Sequence, residues 1–268
     1  MIFLTLTIKI MIIDMHCHTG IFEKKNLTKM FINSMKKYNI DFALFSNVEA
    51  VEYTDKQVLL ENQKDSISIN KKSNYLCKKY PNIGTLLWLK PATEKVDEKL
   101  KKFIIKNRQY IYGLKFHPFY SNLRFDDPKY EPYIELAKEF SLPILIHTAV
   151  EDSSKALAVY NMAKKYPDVN IIMAHLELIT DNLEAIKYIK ELPNLYGDTA
   201  WVSPEKVVYA IKECGPDKIM FGTDNPIDGV DTYLKYQAFF NDIKEHLKFN
   251  EYENLMFNNA KRVFKIIL

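Results

Sequence analysis

The chain has 268 residues, 47% hydrophobic and 26% charged, a composition that supports a sizeable core and excludes an intrinsically disordered chain. Its 37 basic and 34 acidic residues are interspersed and leave a net charge of +3, so no nucleic-acid partner is expected. Seven glycines are too few for collagen-like or linker-rich classes, and three dispersed cysteines, Cys17, Cys77 and Cys214, form no C-x-x-C pair, which suits a reducing cytoplasm.

The opening Met1–Met11 is apolar, but Lys9 interrupts it, and it lacks a basic leader and a small-residue cleavage site. It is also too short to span a bilayer, so residues 1–10 are read as an N-terminal extension or an extra strand, and no membrane association is expected. From there, short β-rich apolar runs alternate with longer segments of helical period. The predicted strands are Met11–Met15, Phe42–Phe45, Thr85–Leu89, Tyr112–Phe116, Pro143–Ile146, Asn170–Ala174, Asn194–Tyr196 and Lys218–Phe221. Between and after them the helical period predicts Leu27–Tyr38, Lys56–Lys79, Glu94–Lys106, Pro128–Phe140, Ser153–Tyr166, Asp181–Glu191, Pro204–Glu213, Tyr233–Leu247 and a final helix over Tyr252–Ile266. Near-continuous Val/Ile/Leu/Phe runs suit strands covered on both faces. Eight strand–helix units match the count of a (β/α)8 TIM barrel with an extra C-terminal helix, although a doubly wound open sheet shows the same alternation over any four units. No linker or charge block divides the chain, so a single α/β domain over residues 1–268 is expected.

Five of the six histidines fall at the ends of predicted strands: His16 and His18 after the first, His117 after the fourth, His147 after the fifth and His175 after the sixth. In a parallel barrel all strand C-termini open on one face, so these imidazoles converge, and Asp224 joins them after the eighth strand. That set is a metal-ligand inventory. His16 and His18, two apart on a strand, share a face at about 6.5–7 Å and can lean toward one ion with bonds of ~2.0–2.1 Å. Cys17 then points outward as a small buried residue, and Asp14, on the same parity as the histidines, is expected to orient a ligand from one layer below. His246 reads as a solvated helix residue.

Asp14-x-His16-x-His18, Gly113-Leu-Lys-Phe-His117-Pro118, Ile146-His147, Ala174-His175 and Phe221-Gly-Thr-Asp224-x-Pro226, in this order, resemble the metal-dependent amidohydrolase superfamily. The most similar branch is the amidohydrolase-related group that contains aminocarboxymuconate semialdehyde decarboxylase-like enzymes, and the likeness spans Ile12 to the C-terminus. The resemblance implies His16, His18 and His147 as metal ligands, with Asp224 as a further ligand or as partner of an activated water. It implies His175 as a group that polarises substrate or positions water. One divalent metal is expected, zinc first, with Mn, Co, Ni or Fe able to use the same ligands.

Lys115 and His117 form another two-apart pair facing the mouth and are taken as substrate-binding residues. A lysine pointing inward needs a partner. Lys115 is expected to pair with Asp198 or Asp14 or to bind a substrate carboxylate; in the alternative it is carboxylated and bridges two metals. Arg124 reads as a solvated loop residue, and Glu177, where the family often has small glycine-type residues, narrows the pocket or binds a cationic group.

These residues predict a cytoplasmic metal hydrolase that cleaves an amide, lactone or related C–N or C–O bond of a small molecule with metal-activated water, and the resemblance to related barrels implies a homodimer. The alternative is metal-dependent non-oxidative decarboxylation of an aromatic or unsaturated acid. A TatD-type nuclease is disfavoured because its Gly-Glu-x-Gly-Leu-Asp and Glu-Thr-Asp segments are replaced here by Gly113-Leu-Lys-Phe-His117 and Gly222-Thr-Asp224. A non-catalytic binding barrel is disfavoured because every expected ligand is present.

Overall fold

The structure is a computed structural model that describes residues 10–54, 64–229 and 231–268. The expected extension over residues 1–10 lies almost wholly outside the described residues, as does the first part of the helix expected at Lys56–Lys79. Among the described residues no helix is long and apolar enough to cross a membrane.

Eight parallel strands form one sheet in sequential order. They are β1 (Ile13–Thr19), β2 (Phe42–Asn47), β3 (Ile83–Trp88), β4 (Ile111–Phe116), β5 (Ile144–Ala149), β6 (Ile171–Leu178), β7 (Leu195–Asp198) and β8 (Ile219–Met220). The intervening helices are α1 (Leu27–Lys37), α2 (Ser66–Lys79), α3 (Glu98–Asn107), α4 (Glu131–Glu139), α5 (Ala156–Lys165), α6 (Leu183–Glu191), α7 (Pro204–Cys214) and α8 (Thr232–His246). Beyond β8, backbone bonds link the two ends of the sheet: Met15 N–H donates to Phe221 O at 3.0 Å, Asp224 N–H to His16 O at 2.8 Å and His18 N–H to Asn225 O at 2.7 Å.

Side chains alternate along the strands between two apolar clusters. Ile144 and Ile146, with Ile171 and Met173, join the large cluster that receives the helices. Leu145 and Ile172 join Ile13, Met15, Phe42, Leu44, Leu86 and Met220 in a smaller inner cluster, onto which Ala260, Val263 and Phe264 of the C-terminal helical segment also pack.

Local chemistry sets the element boundaries. Asp65 and Asp97 cap α2 and α3 by accepting from Ser68 N and Leu100 N, each at 2.8 Å. The helix expected from Glu94 begins only at Glu98, because Asp97 is extended and caps it there; the Glu94 carboxylate instead accepts from Ser66 N at 3.0 Å. Pro204 opens α7 behind the capping Ser203, and Gly215, at φ 92°, ends it. The last expected helix is instead two short α segments, Phe249–Glu253 and Asn259–Val263, separated by a π turn over Asn254–Asn258. Leu255 O in that turn accepts from Phe221 N at 2.9 Å, and Asn259 Nδ2 donates to Pro216 O and Ile219 O, so the irregular turn is tied to the end of β8.

Candidate metal centre

β1 runs to Thr19, past the expected end at Met15, so His16 and His18 lie within the strand rather than after it. Asp14 pairs with Ala43 and Cys17 with Phe45, which leaves Met15 and His16 opposite one residue of β2. This bulge shifts the alternation: Met15 joins the inner cluster, while Asp14 turns to the helix side with Cys17. The expectation that Asp14 shares the inward face of the histidines is therefore corrected; its link to a candidate ligand is through the backbone, its carboxylate accepting from His16 N at 3.1 Å. The same carboxylate accepts from Tyr233 Oη at 2.8 Å, Thr223 Oγ1 and Thr223 N at 3.2 Å, and it fastens β1 to the segment after β8 and to α8. Burial pushes Asp14 up to about 6, against the lowering effect of those hydrogen bonds.

Past the bulge, His16, His18 and Asp224 come together. His18 Nε2 lies 2.7 Å from Asp224 Oδ1 and His16 Nε2 lies 3.3 Å from it, and one ligand atom from each of the three falls within 4.8 Å of the others. The far ring nitrogens have partners of their own. His16 Nδ1–H donates to Asp198 Oδ2 at 2.7 Å, and His18 Nδ1 lies 3.1 Å from Ser46 Oγ. The second oxygen of Asp224 accepts from Trp201 Nε1 at 2.9 Å. Each ring is held by its outer nitrogen and turns the inner one to a common point, the arrangement that fixes tautomer and direction in histidine metal sites. The donor set fits a divalent cation.

Electrostatics favour the ligating forms. Burial, then the Lys115 charge, holds His16 well below the ordinary imidazole range. Burial alone would raise Asp224, but the hydrogen bond and charge of His18, with His16 and His175, hold it well below the usual carboxylate range. Metal binding requires a neutral imidazole and an ionised carboxylate, the directions in which His16 and Asp224 are moved.

Lys115 is fully buried on β4, and its Nζ donates to His16 Nε2 at 3.1 Å and lies 5.9 Å from the Trp88 ring. The expected ion pair with Asp198 or Asp14 does not form, the latter because the β1 bulge turns Asp14 away. Burial lowers Lys115 to about 8, with Asp224 and Asp198 acting in the opposite direction.

His175 sits beside this group, its ring centroid 5.2 Å from that of His16. Its Nδ1–H donates to Ala200 O at 3.1 Å, and burial brings it down to about 4. His147 stacks on His117 at 3.9 Å, with its centroid 5.0 Å from His175, and stands outside the His16–His18–Asp224 group. His117 in turn lies parallel to Trp88 at 5.8 Å.

His18, Trp88, Lys115, His117, His147, His175 and Asp224 line one cavity of about 280 Å³ whose other walls are largely apolar, including Phe22, Val48, Phe119, Tyr120, Leu178 and Ile227. Trp88, Ser46 and Trp201 escaped the sequence reading, which sought only metal-ligating residue types at strand ends; their positions at the ends of β2 and β3 and just after β7 were the available signal. Glu177 does not line the cavity: it accepts from Ala156 N at 2.9 Å and caps α5. Arg124 pairs with Asp126 at 3.0 Å on the surface, and His246 is exposed at the end of α8.

The β6 end is also bulged. Ala174 pairs with His147 and Leu178 with Ala149, so His175, Leu176 and Glu177 together oppose Thr148. All three have left-handed backbones, at φ 68°, 46° and 68°. Such a conformation costs roughly 1–2 kcal/mol for each residue other than glycine, so the surroundings must hold the segment in place.

A family model described as amidohydrolase matches residues 13–266. Among curated proteins none is similar in sequence. Many solved structures resemble the chain, and three of them serve as examples. A 5-carboxyvanillate decarboxylase from Sphingomonas paucimobilis shares 14% identity at a TM-score of 0.67, with 97% of this chain and 100% of that one covered. The corresponding enzyme from Novosphingobium aromaticivorans, complexed with manganese and 4-hydroxy-3-methoxy-5-nitrobenzoic acid, shares 13% at 0.73, with 96% of each chain covered. A 2,6-dihydroxybenzoate decarboxylase from Rhizobium shares 17% at 0.68, with 95% and 98% covered. The hydrolase expectation is corrected by these findings, since the similar structures are mostly decarboxylases of aromatic acids. The physical reason it misled is that a histidine–aspartate ligand set serves either chemistry.

Proposed function

This chain belongs to the amidohydrolase family, and from that premise we propose that it is a metal-dependent, non-oxidative decarboxylase of an aromatic carboxylic acid. The observation that carries the reading is the cavity itself: apolar and aromatic walls lead to a floor where the buried Lys115 amine lies beside His16, His18 and Asp224. The resemblance to aromatic-acid decarboxylases supports it, as does the manganese of one of them. We place the site on a closed (β/α)8 barrel forming a single domain, supported by the backbone bonds between β1 and the segment after β8.

His16, His18 and Asp224, with His147, are the residues proposed to hold one divalent ion, zinc or manganese. When bound, such an ion supplies electrophilic polarisation of a substrate oxygen. The apolar walls exclude water from the ring, and the Trp88–His117 stack offers flat surfaces against which it can lie. The cationic form of Lys115 offsets the negative charge that the substrate brings. Cleavage of the ring-to-carboxylate bond leaves an electron pair on the ring carbon, and a proton must replace the departing carbon dioxide. That proton comes from solvent, and His175 and Asp224, both on the cavity floor, are proposed to relay it to the ring carbon, each returning to its unprotonated form. We further propose a cytoplasmic enzyme with a small-molecule substrate, acting as a homodimer.

The test is incubation of the purified chain, loaded with zinc or manganese, with hydroxybenzoates that include 2,6-dihydroxybenzoate and 5-carboxyvanillate. Release of carbon dioxide matched by the decarboxylated phenol, and abolished by a chelator, is expected. Absence of carbon dioxide across the panel overturns the reading.

A further inference from the structure

Five residues between His175 and Asn182 have left-handed backbones, and none of them is glycine: His175, Leu176, Glu177, Ile179 and Asn182. Left-handed runs of ordinary residues persist only where neighbouring groups over-determine them. The holding groups can be named. Asp198 Oδ1 accepts from His175 N at 2.8 Å, Thr148 Oγ1 accepts from Glu177 N at 2.9 Å, and Thr180 Oγ1 donates to Glu177 O at 2.7 Å.

The remaining group is Asn182, and its behaviour is unusual for its position. It is the N-cap residue of α6, where an asparagine oxygen ordinarily accepts from a helix N–H. Here its side chain makes no cap bond, and the preceding Asp181 accepts from Leu183 N instead. The Asn182 carboxamide turns back toward the bulge, where Nδ2 donates to Leu176 O at 2.8 Å and lies 3.4 Å from both His175 O and Glu177 O. Three carbonyls around one atom fix that atom as nitrogen, since an oxygen there would face three acceptors. The amide thus gathers the three carbonyls that the left-handed bulge turns out of the β6 ladder.

We propose that Asn182 is a positioning residue for His175, pinning the left-handed bulge that aims the imidazole at the cavity floor; the proposal rests on the reading that His175 acts at this site. The bulge sets where the His175 Cα–Cβ bond points, and the bond from Nδ1–H to Ala200 O then fixes the ring and its tautomer, leaving Nε2 for the cavity. Without the carboxamide the three carbonyls lose their shared donor, and Leu176, at the centre of the run, is left with no side chain holding it while Asp198, Thr148 and Thr180 hold only its two neighbours.

Two variants test this. Asn182→Gly removes the amide at a position whose φ of 65° suits glycine, and Asn182→Asp keeps the shape while replacing the donor with an acceptor. Long-range proton–nitrogen NMR of histidine-labelled protein reads the tautomer of each ring, with the His175 signal assigned by its loss in His175→Gln. In the unaltered chain His175 is expected as a single Nδ1–H tautomer. In both variants it should shift toward the tautomer-averaged position while His246 stays unchanged. On an acid that the enzyme turns over, kcat should fall about 10²-fold with little change in KM. A His175 signal that is unmoved in either folded variant overturns the proposal, as does a loss confined to thermal stability. The NMR arm needs no turnover, so a chain that releases no carbon dioxide would defeat the decarboxylase reading and still decide this one.

Discussion

The two ends of the sheet interior are built to opposite rules. Toward the strand N-termini the inner face holds Ile13, Phe42, Leu44, Leu86, Leu145 and Ile172, covered by Val263 and Phe264. Toward the C-termini strands of the same sheet carry His16, His18, Lys115, His147 and His175. The first end departs from a regular register once, where β4 gains Tyr112 between the Thr85–Ile111 and Leu86–Gly113 pairs, and its cluster stays apolar; the second departs twice, at the bulges of β1 and β6, and there polar groups meet. Regular strands suffice to fill a core, because apolar side chains tolerate many packings. Bringing polar atoms to one point needs directions that a regular ladder does not offer, and the bulges supply them.

Substitutions should separate the two ends. The largest expected effect is at the polar end: His18→Ala or Asp224→Asn should abolish stoichiometric metal uptake and lower carbon dioxide release by about 10³-fold or more, read by elemental analysis and turnover, with the fold retained by circular dichroism. At the apolar end Leu145→Ala should cost about 2–5 kcal/mol in urea unfolding while leaving metal stoichiometry intact. A variant that lost both together would show that the two ends are not independent. Asp198→Asn is a smaller perturbation, since it weakens the acceptor that holds His16 Nδ1–H; metal affinity should drop about 10–100-fold in a calorimetric titration. Smallest is Glu177→Ala, which removes the acceptor at the start of α5 and should cost about 1 kcal/mol without altering metal affinity. That result would sharpen the comparison by showing that a charged residue two positions from His175 serves the helix layer.

Much of the sheet was legible, and the reason is burial. Runs such as Pro143–Ile146 and Asn170–Ala174 are covered on both faces, so their apolar continuity is visible in the one-dimensional pattern. What stayed hidden was the polar continuation of the same strands. β1 was expected to stop at Met15 and β6 at Ala174, where the apolar runs end; in the folded chain the histidines and glutamate beyond those points remain strand residues and buried, His16, His175 and Glu177 within the bulges. Convergence of the strand-end histidines was legible from their positions alone. The facing of Asp14 was not, because parity arguments assume a regular register and a single extra residue inverts them. The partner of Lys115 and the capping role of Glu177 depend on contacts across the sheet, which spacing along one chain cannot encode.

The three groups nearest the proposed ion come from the first and the last of the parallel strand–helix units, at positions 16, 18 and 224. No truncated or half-made chain can contain them in one place. Tight capture of a cation therefore waits until the final unit has docked against the first, and metal uptake becomes a timestamp for the completion of folding.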